Sequence, residues 1–211
     1  MNQILVYGDS LTWGIVPGTR QRLPFAERWP GILETELTRT GSTVRIIEDC
    51  LNGRRTVWDD PFKAGRNGIV GIEQRIEVNS PLALVILMLG TNDFQSVHQN
   101  NAWQSSQGIA AIVRAIRRAP IEPDMPVPPI LIISPPRPNA PAGTMKEKFD
   151  CAPEKSRGVS DAYRAVAAEF DCGFFDADRV ISTSAIDGVH LDADQHPRLA
   201  RALVPIVREL I

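Results

Sequence analysis

An unbroken apolar stretch from Leu82 to Leu89 constrains the fold of this 211-residue chain more than any other part of its sequence. Strands without alternating polar residues are typical of parallel sheets, because helices cover both faces of such sheets. The stretch runs directly into Gly90-Thr91-Asn92-Asp93, which is polar. We therefore expect a central parallel strand that delivers polar side chains to the carboxyl edge of the sheet, where α/β proteins bind ligands.

Segments of strand and helix character alternate along the rest of the chain. The predicted strands are 4–7, 43–47, 82–89, 130–133 and 173–176, and the predicted helices are about 29–40, 68–79, 103–119, 155–171 and 193–210. Pro205 lies inside the last helix and predicts a kink or break there. The alternation predicts an α/β fold in a single domain, 1–211: a doubly wound, flavodoxin-like parallel sheet of about five strands with helices on both faces.

Composition excludes several classes of partner. The net charge is −2, so neither nucleic acid nor an anionic membrane surface is expected to bind. The sequence has no stretch of roughly 18 apolar residues and no basic, apolar leader, so we expect a cytoplasmic protein. The three cysteines, Cys50, Cys151 and Cys172, lack C-x-x-C spacing and are expected to be reduced thiols.

Ser10 is a candidate nucleophile. It follows the first predicted strand within Gly8-Asp9-Ser10, where the chain turns sharply into a helix. A hydroxyl at the carboxyl end of a strand faces the crevice that binds ligands. The alternative is that Gly-Asp-Ser serves only as turn chemistry that caps the next helix.

A serine nucleophile needs a base, and the chain has three histidines, His98, His190 and His196. Asp187 stands three residues before His190, a spacing that lets a carboxylate hold the imidazole in one tautomer. His196 and His98 have no such partner and are interpreted as surface residues. His190 is therefore the predicted base.

Acyl transfer also needs hydrogen-bond donors for the oxyanion. The predicted strand ends offer the backbone N–H groups of Ser10 and Gly53 and the side-chain amide of Asn92. Alternatively, Gly53 merely forms an Asn-Gly turn and Asn92 caps the segment that follows Gly90.

The sequence resembles the SGNH or GDSL hydrolases in four blocks that occur in the family's order. The blocks are Gly8-Asp9-Ser10-Leu11, Gly53, Gly90-Thr91-Asn92-Asp93 and Asp187-Gly188-Val189-His190. The resemblance extends from about residue 3 to 210 and implies a serine hydrolase that needs no cofactor. It implies Ser10 as nucleophile, His190 as base, Asp187 as the group that orients it, and Ser10, Gly53 and Asn92 as oxyanion donors.

Finer features are similar to the small bacterial arylesterases that also act as acyltransferases and perhydrolases. These features include Leu11-Thr12-Trp13-Gly14, Arg54 and Ile133-Ser134-Pro135-Pro136. They imply small aryl or alkyl acetates as substrates. The substrate-binding residues implied are Asp9, Leu11, Trp13 and Arg54.

Long loops are a further feature of such relatives, in which they form oligomer contacts. The loops 16–28, 54–67 and 135–154 are therefore expected to narrow the site within a homo-oligomer. Trp13 and Trp58 either wall a small acyl pocket or act as packing aromatics.

Two other interpretations are open. A metal-dependent phosphoesterase would use the oxygen-rich set Asp9, Asn92, Asp93 and Asp187 together with His190. A flavodoxin-like binding module would explain the sheet, but it would leave Ser10, Asp187 and His190 without a shared purpose.

Overall fold

A computed structural model describes residues 2–211 and contains one five-stranded sheet whose strands are all parallel. The strands are β1 (Asn2–Gly8), β2 (Val44–Cys50), β3 (Leu84–Met88), β4 (Ile130–Ser134) and β5 (Gly173–Asp176). Their order across the sheet is β2-β1-β3-β4-β5. The prediction of a doubly wound α/β sheet with the apolar stretch at its centre is confirmed.

Seven helices accompany the sheet in the described part of the chain. They are α1 (Ser10–Trp13), α2 (Trp29–Arg39), α3 (Ile72–Asn79), α4 (Ala102–Arg117), α5 (Ala152–Lys155), α6 (Val159–Glu169) and α7 (Gln195–Leu210). Single 3-10 turns occur at Phe25–Glu27, Thr91–Phe94, Gly143–Met145 and Ala177–Arg179. Within residues 2–211, no helix has the length and apolar character needed to cross a membrane.

The alternation of side chains along β3 explains why its sequence is apolar throughout. Leu84, Ile86 and Met88 pack with residues of α2 and α7 on one face of the sheet. Val85 and Leu87 pack with residues of α3, α4 and α6 on the other face. Successive residues of a strand point to opposite faces, so a strand between two helical layers has no face left for polar residues.

Two predicted helices differ from the structure. The helix predicted over 155–171 begins only at Val159, as α6, because Gly158 adopts a left-handed backbone conformation with φ of 83° and separates it from α5, which ends at Lys155. The predicted break at Pro205 is wrong, since α7 runs through that residue. Pro205 is exposed, so water can reach the carbonyl that loses its helical hydrogen bond, while Leu203 and Val207 hold the helix on the sheet.

Candidate active site

The carboxyl end of β1 places Ser10 at the first residue of α1. Asp9 caps this helix, since its Oδ1 accepts a hydrogen bond of 3.0 Å from the N–H of Leu11. Gly14 ends the helix in the left-handed region, with φ of 84°. The short helix fixes the direction of the Ser10 side chain, and Ser10 retains 5% exposure.

The ends of β2 and β3 contribute Gly53 and Asn92. Gly53 has φ of 82°, a conformation that favours glycine in the turn after β2. Gly90 has φ of 121°, and a Cβ there would lie 2.1 Å from Tyr163 Oη. Only glycine therefore allows the close approach that carries the chain from β3 into the 3-10 turn with Asn92.

Asp187 and His190 lie together in the loop before α7. His190 Nδ1 is 2.7 Å from Asp187 Oδ2, and Asp187 Oδ1 accepts hydrogen bonds of 2.9 Å from the N–H groups of Val189 and His190. Burial raises the pKa of Asp187, but these hydrogen bonds outweigh it and hold the pKa well below its usual range. A carboxylate that stays ionised directs the Nδ1 proton toward itself and leaves Nε2 as an acceptor.

One cavity of about 70 Å³ joins these elements. Its polar wall comprises Ser10, Asn52, Gly53, Asn92 and His190, its apolar wall Ile15, Met145 and Phe149, and its mouth Arg20, Asp60, Lys63 and Lys148. Four predicted residues, Ser10, Gly53, Asn92 and His190, thus share one wall, and Asp187 stands behind His190. Within residues 2–211 no hydrogen bond joins Ser10 to His190; such bonds often tighten only when substrate binds.

The amide of Asn92 is held on both sides. Its Nδ2 donates to Asp9 Oδ2 at 2.9 Å and to the Arg54 carbonyl at 3.2 Å, while Gln95 Nε2 donates to its Oδ1 at 2.7 Å. The donor from Gln95 fixes which edge of the amide turns toward the Ser10 turn. Burial raises the pKa of Asp9 to about 6.

Arg55 is a fully buried hub that sequence reasoning missed. Its guanidinium donates to Gln95 Oε1 at 2.6 Å, Asp60 Oδ2 at 2.8 Å, His98 Nε2 at 2.8 Å and the Gly53 carbonyl at 3.1 Å. It thereby connects the cavity mouth to the residue that holds Asn92. An arginine after an Asn-Gly turn gives no signal of burial, because its partners are distant in sequence.

Asp93 lies outside the cavity wall and braces it from behind. Its carboxylate accepts hydrogen bonds from Thr56 N at 2.9 Å, Thr56 Oγ1 at 2.8 Å and Ser105 Oγ at 2.6 Å. Complete burial raises its pKa to about 6. The second Asp of the Gly-Thr-Asn-Asp block therefore ties the turn after β3 to the loop after β2.

None of the four residues expected to bind substrate lines the cavity at Ser10. Asp9 and Leu11 are buried in the first turn, and Arg54 donates to the Gly8 carbonyl and to Asp49 while its guanidinium lies over Tyr7. Trp13 lies under the Arg22 guanidinium, 4.6 Å from it. These side chains support the wall rather than form it.

Trp58, weighed as part of an acyl pocket, lines a separate depression that also contains Trp103. This depression shares no residue with the cavity at Ser10. The position of Trp58 favours the packing interpretation.

The surface interpretation of His196 is wrong. This ring is fully buried, and its Nδ1 accepts a hydrogen bond of 3.3 Å from the N–H of Trp29. Burial and the nearby Arg28 lower its pKa to about 4, so it stays neutral. His98 is partly buried as an acceptor for Arg55.

The metal-site interpretation gains no support from the side-chain geometry. Among residues 2–211, no group of three or more His, Cys, Asp or Glu side chains is arranged to hold a metal ion. Asp93 is already engaged by hydroxyl and backbone donors, as is Asp187 by the His190 ring and three backbone N–H groups.

Comparisons with known proteins agree with this geometry. Residues 6–200 match the model of the GDSL-like lipase/acylhydrolase family. A carbohydrate acetylesterase family member from Sinorhizobium meliloti is 37% identical, with a TM-score of 0.93 over 100% of this chain and 99% of that chain. No curated protein sequence matches the chain.

Two further solved structures match over the full length of both chains. The carbohydrate acetylesterase Est24 from Sinorhizobium meliloti is 34% identical, with a TM-score of 0.93. The aryl esterase of M. smegmatis in its inhibitor-bound form is 32% identical, also with a TM-score of 0.93. The likeness therefore includes every strand end that borders the cavity.

Proposed function

Because this chain belongs to the GDSL-like lipase/acylhydrolase family, we propose that it hydrolyses esters of short carboxylic acids through an acyl-enzyme formed on Ser10. Its family and its structural neighbours make it a carboxylic ester hydrolase. The proposal concerns the size of the acyl group, the roles of the residues and the fate of the acyl-enzyme.

The observation that carries the proposal is the size of the cavity at Ser10. About 70 Å³ gives room for only a few non-hydrogen atoms. Ile15, Met145 and Phe149 supply an apolar wall, which suits the methyl end of an acetyl group. Two of these three side chains, Ile15 and Phe149, are buried, so the wall around the acyl group is fixed in place.

In the proposed first step, His190 Nε2 takes the proton of Ser10 Oγ, and the oxygen attacks the ester carbonyl carbon. Asp187 stabilises the imidazolium that forms, because its carboxylate is 2.7 Å from Nδ1 and remains ionised. His190 then gives its proton to the departing alcohol. Water, deprotonated by His190, attacks the acyl carbon; the bond to Ser10 Oγ breaks, His190 returns its proton to Oγ, and the acid is released.

The oxyanion would be held by the N–H groups of Ser10 and Gly53 and by Asn92 Nδ2. Among residues 2–211, neither N–H group has a backbone acceptor. The hydrogen bond from Asn92 to the Arg54 carbonyl, at 3.2 Å, is the longer of its two and is the one the oxyanion would replace. An interaction that strengthens only as charge develops accelerates the chemical step.

An alcohol can take the place of water in the last step. A narrow site that holds little water favours this competition, so we propose acyl transfer, including transfer to peroxide, as a side activity. No step of this scheme requires a cofactor.

Substitution of Ser10 tests the proposal. Ser10→Ala should abolish hydrolysis of p-nitrophenyl acetate and labelling by a fluorophosphonate, with an unchanged circular dichroism spectrum. Ser182→Ala, at an exposed serine outside the cavity, should retain both. Native enzyme should hydrolyse acetate faster than butyrate and octanoate esters; activity in Ser10→Ala, or a preference for octanoate, would overturn the proposal.

A further inference from the structure

The mouth of the active-site cavity carries three positive side chains from three different loops. Arg20, Lys63 and Lys148 line the cavity together with Ser10 and His190, and all three are exposed. Among the described residues, none of the three forms an ion pair within 4.0 Å. The positive charge is local, since the whole chain has a net charge of −2.

The one acidic group at this mouth is already neutralised. Asp60 Oδ2 accepts a hydrogen bond of 2.8 Å from Arg55 Nη1, and its Oδ1 accepts one of 2.9 Å from the N–H of Phe62. The buried Arg55 and Asp60 therefore cancel each other. The three exposed cations remain as the uncompensated charge beside the nucleophile.

A second cavity of about 520 Å³ adjoins the first and shares Asp60, Lys63 and Lys148 with it. It is several times larger than the cavity at Ser10, and the two lysines line both cavities. Its remaining wall includes Phe62, Val97 and a single further acidic residue, Glu147. An ester whose acyl group occupies the inner cavity would extend its alcohol portion past the lysines into this space.

The cations at the mouth also repel one another. Partial burial is the main cause that lowers the pKa of Lys148; the charge of Arg55 lowers it further against the opposing effect of Asp60, and Arg20 and Lys63 make smaller contributions in the same direction as Arg55. An anion bound between these side chains would relieve that repulsion.

We infer that this enzyme selects esters whose alcohol portion carries a carboxylate, an inference that rests on the proposed function. Arg20, Lys63 and Lys148 bind this carboxylate while the short acyl group sits at Ser10. The substrate class is thus the acetylated hydroxy acids, either phenolic acids or sugar acids. Charge at the mouth of a cleft raises both capture and affinity of a ligand of opposite sign.

A pair of aryl acetates tests the inference. 4-Acetoxybenzoate and its methyl ester have the same shape around the acetyl group, but only the first is anionic. The neutral compound has the better leaving group, so chemical reactivity alone favours it. We expect native enzyme to show a kcat/KM about tenfold higher for the anion at low ionic strength, falling toward parity in 0.5 M salt.

Variants of the cationic residues test which side chains cause the preference for the anionic substrate. Lys63→Gln and Lys148→Gln should each lower the ratio of the two kcat/KM values, and a triple variant that also carries Arg20→Gln should abolish the preference. Lys146→Gln is the matched control, because this exposed lysine of the same segment lines neither cavity. It should leave the ratio unchanged.

The outcomes separate the inference from the function on which it rests. Hydrolysis of p-nitrophenyl acetate with a ratio at or below one would overturn the inference and leave the esterase proposal intact. An unchanged ratio in the variant with all three cations replaced would also overturn it. Failure to hydrolyse any of the three acetates would overturn the proposed function itself. Acetylated glucuronic acid compared with acetylated glucose then distinguishes a sugar acid from a phenolic acid as the preferred alcohol.

Discussion

The amide of Asn92 depends on a neighbour that does not touch the cavity. Gln95 is 3% exposed, receives a hydrogen bond from Arg55 and donates one to Asn92 Oδ1. Because Oδ1 is thereby occupied, Nδ2 faces the Ser10 turn. Gln95 is a positioning residue for Asn92, because it does not line the cavity at Ser10, although it does line the second cavity.

Gln95→Glu removes this donor with almost no change in shape. The carboxylate still accepts from Arg55, but it repels Asn92 Oδ1 and favours the flipped amide. We expect kcat for p-nitrophenyl acetate to fall about 10-fold to 100-fold with little change in KM, because a misplaced donor fails mainly in the transition state.

Asn92→Ala removes the donor itself, so we expect it to lower kcat by about 10²-fold to 10³-fold. This loss is the upper limit for the effect of Gln95→Glu. Combining the two substitutions should cost no more than Asn92→Ala alone, since Gln95 has no other route to the oxyanion. Additive losses would show that Gln95 acts elsewhere.

At the scale of the elements, His196 joins α7 to α2. Its ring is 0% exposed and accepts a hydrogen bond from Trp29 at the start of α2. The folded pKa of about 4 is below that of an unfolded histidine, roughly 6.5. Between these values the unfolded chain binds more protons, so the contribution of His196 to stability is lost as the pH falls from about 6.5 toward 4.

Chemical denaturation at pH 7 and pH 4.5 measures this contribution. Asp9 and Asp93, whose folded pKa values are raised to about 6, act in the opposite direction over much of the same range. The test is therefore the difference between native protein and His196→Gln. We expect the variant to lose less stability on acidification, by up to about 3 kcal/mol.

Nuclear magnetic resonance offers an independent check of the same point. The His196 ring should show the shifts of a neutral imidazole at pH 5.5. Titration of this ring near pH 6.5 would contradict the prediction.

The helices and strands show what the hydrophobic periodicity of the sequence can and cannot predict. The β3 strand was predictable because a strand covered on both faces must be apolar throughout. The continuation of α7 through Pro205 was not, since it depends on the tertiary packing of Leu203 and Val207. The division between α5 and α6 depends on the backbone conformation of Gly158, which its sequence neighbours do not determine.

In the candidate site, too, some features were predictable from the sequence and others depend on tertiary contacts. Ser10, Asn92 and the Asp187–His190 pair were predictable because strand ends in a parallel sheet meet at one edge. The burial of Arg55 and Arg54 was not, since charged residues are normally exposed and their acceptors come from other loops. The three cations at the mouth were missed for a related reason, because loop residues converge only in the folded chain.

At the scale of the whole molecule, we expect self-association through the long loops. Phe62 is 87% exposed in the loop after β2, and Phe25 is 37% exposed in the loop after α1. An interface that covered these two side chains would remove apolar surface from water, which favours association. Packing there would narrow the entrance to Ser10 and reduce access of water.

Sedimentation and product analysis test this expectation together. The mass should be a multiple of 23.3 kDa, and added alcohol should yield a new ester in water. Phe62→Ser should lower both the mass and the ratio of acyl transfer to hydrolysis. A 23.3 kDa species at all concentrations would contradict the prediction.

The Arg55 hub has a consequence for recombining this chain with its relatives. Arg55 belongs to the loop after β2, whereas Gln95 and His98 belong to the segment after β3, and Lys155 of α5 donates to the carbonyls of both. A chimaera that receives a foreign 52–67 loop without an arginine at position 55 would leave the side chains of Gln95 and His98 without their donor. Buried polar groups that lose a hydrogen-bond partner destabilise the fold. These segments must therefore be transplanted as one graft, so that the loops around the nucleophile are inherited jointly although they are far apart in sequence.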